Sequence, residues 1–402
     1  MSKIMEWVNK RFPLDKVWKE HMAEYYAPKN FNIFYYAGSL LILMIVLQLI
    51  SGFLLMAHYD PTAHGAFASI QTIMYDVSSG WFIRYMHVDG VSLIFVLLYV
   101  HMLRGLLYGS YRNPRELVWI IGYMIYIMMV GEAFFGYVLP FSNLSYWAGV
   151  VITSIIRAVP FAGAYIEVLV RGGEGLGTST LGRFLALHTV LWFDIILLLI
   201  FFHIVALHKV GSNNPDGIEI KLNKGLNGHP LDGIPFQPYY SVKDIFGVGV
   251  WLMIFAAIIF YDPTMHGVFL EPTMFAPANA LRSLPDVTPP WYLAPFYAML
   301  RAFSNKYLGI AVMVLAILLP FFLPWLDQNP VKSSRYRPVY RVMIILLVAT
   351  FATLAWVGEQ PPLPKYHLIE VVGALLYLGF FLLLPIISKF EPTRPVPERV
   401  TQ

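Results

Sequence analysis

Residues 81–112 read WFIRYMHVDGVSLIFVLLYVHMLRGLLYGSYR, and residues 184–209 read FLALHTVLWFDIILLLIFFHIVALHK. Each stretch is apolar enough and long enough to cross a bilayer as a helix, which takes about 20 residues. The first carries His87 and His101; the second carries His188 and His203 within its apolar run and His208 at its end. Ionisable side chains inside a membrane are costly and mark function by default. On a helix, 14 residues advance about 21 Å and return to within about 40° of the same face. The first pair has that spacing. The second, with 15, advances about 22 Å and misses by about 60°.

Working outward, further apolar runs cover residues 33–57, 117–139, 245–261, 307–326, 338–357 and 367–388, which makes eight spans. The chain is 58% hydrophobic and 13% charged, against about 45–50% and about 25% in a soluble domain. These proportions predict an all-α membrane protein; the resemblance given below implies its division into a four-helix bundle at the N-terminal end (1–225) and a C-terminal helical part (226–402). The absence of cysteine excludes disulfides and thiolate-held clusters on this chain. Residues 1–30 mix aromatic and basic side chains, among them Trp7, Phe12, Val17 and Trp18 with Lys3, Lys10, Lys16 and Lys19. They suit an interfacial amphipathic helix better than an export signal. Nothing resembles a nucleic-acid face, a hydrolytic triad or a phosphate loop; the glycine-rich run 172–177 follows no strand and reads as a connection.

With eight spans the two termini share a side. That side carries 20 of the 28 lysines and arginines, so the termini are expected in the cytoplasm. The spans holding the histidines then run parallel, from outside inward. His87 faces His188 near the outer surface, and His101 faces His203 near the inner one. One buried histidine often only satisfies a neighbouring helix; four at matched depths on two parallel helices suit axial ligation of two low-spin haems. Pairs about 21 Å apart cannot share a tetrahedral zinc site. Gly38 and Gly52 in the first span, and Gly122 and Gly136 in the third, repeat the 14-residue step and are expected to make room for the macrocycles. Arg84 and Arg104 are candidates to pair with haem propionates.

Several stretches then carry a resemblance: AGSLL at 37–41, SGFLLMAHY at 51–59, WFIRYMHVDG at 81–90, HMLRGLLYGSYR at 101–112, GYVLPFSNLSYWAGVVIT at 136–153, HKVGSNNPDGI at 208–218, FQPYYSVKDIFG at 236–247 and PPWYLAPFYAMLRA at 289–302. The chain resembles, nearly end to end, the bacterial cytochrome b subunit of the cytochrome bc complexes, the ubiquinol–cytochrome c reductases. The resemblance implies quinol oxidation at an outer site, electron passage through two b haems, quinone reduction at an inner site, and proton translocation. It implies a Rieske-type iron–sulfur protein and a c-type cytochrome subunit as partners, a homodimeric complex, contact with membrane lipid, and a bacterial inner membrane. Carried over to this chain, the inner site would use His208, Ser212, Asn214, Lys243 and Asp244. The outer site would use Tyr137, Ala148, Gly149, Pro289, Pro290, Trp291, Tyr292 and Tyr297.

Three departures stand out. The family motif Pro-Glu-Trp-Tyr is here Pro289-Pro290-Trp291-Tyr292, so a glutamate thought to accept a quinol proton is missing. Glu132, one turn before Gly136, is the expected substitute, with Asp286 next. The 15-residue spacing of His188 and His203 calls for a bulge in the fourth span or a rotated inner haem. Asp89, two residues past His87, and Asp194, at mid-span, are expected to find a hydrogen bond near the outer haem and a partner on a neighbouring helix. Two other classes share some of these features. A di-haem anchor of a dehydrogenase would have one quinone site, and a transporter with structural histidines would bind no haem.

Overall fold

The structure, a computed structural model, describes residues 3–15 and 25–401. Among these, eight helices are long and apolar enough to span a membrane: Ile33–Met56, Gly80–Tyr108, Glu116–Val138, Thr178–Val210, Phe236–Tyr261, Lys306–Leu326, Pro338–Gly358 and Pro364–Phe390. They are called spans one to eight below. Each coincides with an expected run. At the N-terminus, Lys3–Asn9 is a helix that ends in a turn at residues 10–12; the part of the expected amphipathic helix that holds Val17 and Trp18 lies outside the described residues.

Span one packs along span two and span three along span four, and span five leans on the first pair. Spans seven and eight pair with each other and with the short helix Ala294–Arg301, which follows the Pro-Pro-Trp-Tyr segment. Residues 289–292 are thereby held against span two. Tyr292 stacks on Phe95 with ring centres 3.9 Å apart, and its carbonyl accepts the Tyr99 hydroxyl at 2.5 Å. The Trp291 indole donates to Ser92 Oγ at 3.2 Å.

Loop lengths explain the two ends. Asn143–Ile155 and Gly163–Arg171 are surface helices between spans three and four. At the opposite end, strand Tyr26–Pro28 pairs antiparallel with Gly233–Pro235, and the C-terminal tail returns onto the same loops. Arg399 binds Asp232 at 2.7 Å, Lys29 binds the same carboxylate at 3.0 Å, and Thr401 caps Asp216. The segment that leads into span one and the C-terminal tail therefore lie at one end of the bundle, as an even number of spans requires. The lock here is ionic. Arg337 is fully buried and holds Asp327 at 2.7 Å and Glu391 at 2.6 Å, with Tyr111 also on Asp327. Removing one member of such a pair typically costs about 3–5 kcal/mol, because the remaining charge is stranded.

Candidate functional site

The four histidines meet in two pairs, as their spacing predicts. The ring centres of His87 and His188 are 6.1 Å apart, and those of His101 and His203 are 6.3 Å apart. A metal held by one ring nitrogen from each side, at about 2.0 Å with each ring centre about 1.1 Å further, needs about 6.2 Å between centres. Both gaps fit one bis-imidazole iron. Among the described residues, no group of three or more His, Cys, Asp and Glu is placed to hold a metal, so the pairs are the ligand sets on offer.

The 15-residue spacing is resolved by a bulge. Leu187–Leu191 forms a π-helical turn that contains His188. One extra residue is absorbed there, so His188 and His203 come to matched levels with His87 and His101. Such turns are rare and gather at functional sites.

Each glycine of the 14-residue pattern faces one imidazole. A Cβ at Gly52 would lie 3.1 Å from His87 Cε1, at Gly38 3.2 Å from His101 Cε1, at Gly122 2.9 Å from His203 Cε1, and at Gly136 2.6 Å from His188 Cε1. The notches thus receive the histidine rings. Ser51 Oγ lies 2.9 Å from His87 Nδ1, and Glu132 holds His188 Nδ1 with its carbonyl and with carboxylate Oε1, both at 3.0 Å. Metal-binding histidines characteristically engage their second ring nitrogen in this way, which fixes ring orientation and raises ligand basicity.

An apolar cavity opens beside the outer pair, lined by Gly52, Arg84, His87, Glu132, Gly136 and His188 among others. Arg84 is buried with Nη1 unpaired, as befits a guanidinium awaiting an anionic group such as a propionate. At the inner level, Arg104 Nη2 stands 3.5 Å from His101 Nδ1. Asp89 is fully buried, and neither carboxylate oxygen has a partner among the described residues. Asp194 is exposed on the outer face of span four, away from the neighbouring helix where a partner was expected.

Glu132 is placed differently from its expected role. Residues four apart share a helix face, so Glu132 follows Gly136 toward His188. Tyr137 points elsewhere, with Glu271 and Tyr292 as its ionisable neighbours. Glu132 Oε1 lies on His188, and Oε2 is buried without a partner among the described residues.

The inner end gathers His208, Ser212 and Asp244, with three residues that sequence reasoning missed. Tyr25 packs on His208 with ring centres 4.9 Å apart and its hydroxyl is 2.6 Å from Ser212 Oγ. Tyr35 donates to Asp244 at 2.9 Å, and Ser39 donates to it at 3.3 Å. Burial pushes the Tyr25 hydroxyl above the usual tyrosine value. Lys243 lies over the Tyr239 ring at 4.4 Å. Asn214 departs from expectation: fully buried, it spends its amide on the Ile218 carbonyl and on the Asp216 N–H, and so shapes the loop. Ser39 was visible inside the AGSLL stretch; Tyr25 and Tyr35 carry no spacing signal.

Two family models match the chain, Cytochrome b/b6/petB over residues 22–211 and Cytochrome b(C-terminal)/b6/petD over residues 277–378. The chain is 50% identical to Cytochrome b of Allochromatium vinosum, over 99% of this chain and 98% of that one. The chain belongs to the cytochrome b family. It is 42% identical to Cytochrome b of Rickettsia typhi, over 99% of this chain and 97% of the relative. It is also similar to the solved structure of a hyperthermophilic respiratory Complex III, with TM-score 0.89, 33% identity and coverage of 96% of this chain and 99% of that one. Membership in a family of electron-transport haem proteins, with eight membrane-length helices, makes this cytochrome b a multi-pass membrane protein.

Proposed function

We propose that the chain is the cytochrome b subunit of a quinol–cytochrome c oxidoreductase, with two haem b groups held by His87/His188 and His101/His203. The observation that carries this reading is the two imidazole gaps, each spaced for one iron and each backed by glycines on both sides. Haem, when bound, supplies one-electron redox chemistry at two depths in the membrane. The residues supply position and surroundings. Ser51 and Glu132 orient the outer ligands, and Arg84 and Arg104 offer charge to propionates. We give Glu132 this orienting role in place of the expected proton-accepting one.

At the inner end, His208, Ser212, Lys243 and Asp244, with Tyr25 and Tyr35, form the group that binds quinone and supplies protons to it; Asn214 shapes the loop beneath. At the outer end, Tyr137, Tyr297, Ala148, Gly149 and the 289–292 segment bound the quinol site. Ala148 is buried, and Gly149 is closely covered by Leu176 and Val138. Protons taken up inside and released outside would be translocated. A Rieske-type iron–sulfur protein and a c-type cytochrome are the partners. The similarity to a respiratory Complex III supports this, as does a 40% identical relative in Bradyrhizobium diazoefficiens named Cytochrome b/c1, 56% of whose length aligns. A homodimeric complex in a bacterial inner membrane, with cytoplasmic termini and a division near residue 225, completes the reading.

The test is quinol-dependent reduction of cytochrome c by the purified complex. Asp244→Asn is expected to slow reoxidation of the b haems by quinone at least about tenfold, the low end for a lost acid–base group, while leaving their spectra unchanged. Reoxidation at the parent rate would contradict the inner-site assignment.

A further inference from the structure

The chain lacks a carboxylate within its Pro-Pro-Trp-Tyr segment, and Glu132 is committed to His188. Quinol oxidation nevertheless releases two protons, and a base at the outer pocket speeds their removal. We infer that Glu271 is that base, a catalytic residue supplied by the loop between spans five and six. The inference rests on the outer-site reading above.

Glu271 occupies the N-cap position of the short helix Pro272–Phe275. Its Oε1 accepts the Thr288 hydroxyl at 2.9 Å. Thr288 immediately precedes Pro289, so this bond ties the carboxylate to the segment that bounds the pocket. Leu270 and Met274, on either side of Glu271, are buried with Leu144, and Tyr137 and Val287 pack against them. Glu271 also lies within electrostatic reach of Tyr137. It thus stands near Tyr137 of the third span and against the residue that precedes Pro289.

Two further acids adjoin it. Asp286 lies on the loop before Thr288, and Glu359 follows span seven. Half-burial lifts the Glu271 carboxyl above the usual glutamate range, the charge of Asp286 adds to the rise, and the Thr288 hydroxyl opposes it. Glu359 is lifted as well, by burial first and then by the charge of Glu271. Asp286 is lifted by burial, with Arg301 opposing. Glu271 is the most buried of these three neighbouring weak acids. In the step, a quinol O–H bond breaks and a carboxyl O–H bond forms on Glu271, which becomes neutral. The two electrons of the oxidation leave through the redox centres of the complex. The proton passes on to Glu359 or Asp286 and then to water, which restores the carboxylate.

Glu271→Gln in the assembled complex keeps the acceptor for Thr288 and removes the base. It is expected to lower kcat for quinol oxidation at least about tenfold with little change in KM, and to flatten the acid limb of the pH–rate profile. That limb exists because the base works only when ionised, so activity rises as pH rises through its raised pKa. Glu271→Asp should restore part of the rate and the limb. An unchanged kcat and profile, a change in KM alone, or the same loss from Asp286→Asn with Glu271→Gln silent, would each overturn the inference. Tyr137→Ala separates the two readings, with haem spectra checking the fold. If it abolishes quinol oxidation while Glu271→Gln does nothing, only the Glu271 assignment fails. If neither has an effect, the outer-site reading fails with it.

Discussion

Gly136→Leu is expected to remove one haem of two, the outer one, and to leave the inner one in place. A Cβ at this position would already lie 2.6 Å from His188 Cε1 and 3.0 Å from Nε2. A leucine drives further atoms into the same ring, and interiors packed at crystal-like density do not yield to that without displacing something. Glu132, one turn earlier on the same face of the helix, holds the ring through two acceptors at 3.0 Å, so the ring cannot step back without losing them. The inner pair depends on Gly38 and Gly122, the latter about four turns from Gly136, and is untouched. The control is Gly379→Leu: nothing lies within 4 Å of a Cβ there, and both haems should remain. Haem-to-protein ratio after purification, with the optical spectrum, reads the outcome. Two haems in Gly136→Leu would mean that the glycine is ordinary helix packing.

Glu132→Gln is expected to raise the midpoint potential of the outer haem and to leave the inner one unchanged. The carboxylate lies on the ring nitrogen opposite to the one available for metal, and a partner in that position raises the basicity of the ligand. An anion beside the ligand also favours the more positive, oxidised state of an iron centre. Glutamine retains an acceptor for Nδ1–H and removes the charge, so the substitution isolates the electrostatic part. A tenfold change in the equilibrium between reduced and oxidised forms corresponds to about 59 mV for a one-electron couple, and at least that shift is expected. It is read by potentiometric titration at the b-haem absorption, independently of turnover. An outer potential equal to that of the parent would show that Glu132 carries no charge at His188.

Much of this was legible in the chain itself, for a physical reason. A bilayer forces every backbone polar group into helices, so span positions follow from hydropathy alone, and two helices with histidines at a shared interval announce two levels. The extra residue between His188 and His203 was visible as a mismatch, and the π-helical turn at Leu187–Leu191 is its resolution. The carboxylates were not legible to the same degree. Glu132 was read by its distance from Tyr137 along the chain, whereas the helix sets direction by face, and the face it shares is that of Gly136. Glu271 lies 134 positions from Tyr137 in a Pro-rich loop, and no periodicity connects them; only the folding of residues 270–288 over span three does. Tyr25 and Asn214 were obscured in the same way, because the β-pairing of Tyr26–Pro28 with Gly233–Pro235 and the internal bonding of the 213–218 loop are tertiary events.

The central claim is that two imidazole pairs hold two irons at separate depths. Its most direct test is a redox titration of the purified protein with haem quantified per chain, repeated for His203→Ala. Two b-type components of one electron each are predicted in the parent, with loss of only the inner component in the variant. A parent with no b-type absorption, or a variant that keeps both components, would contradict it.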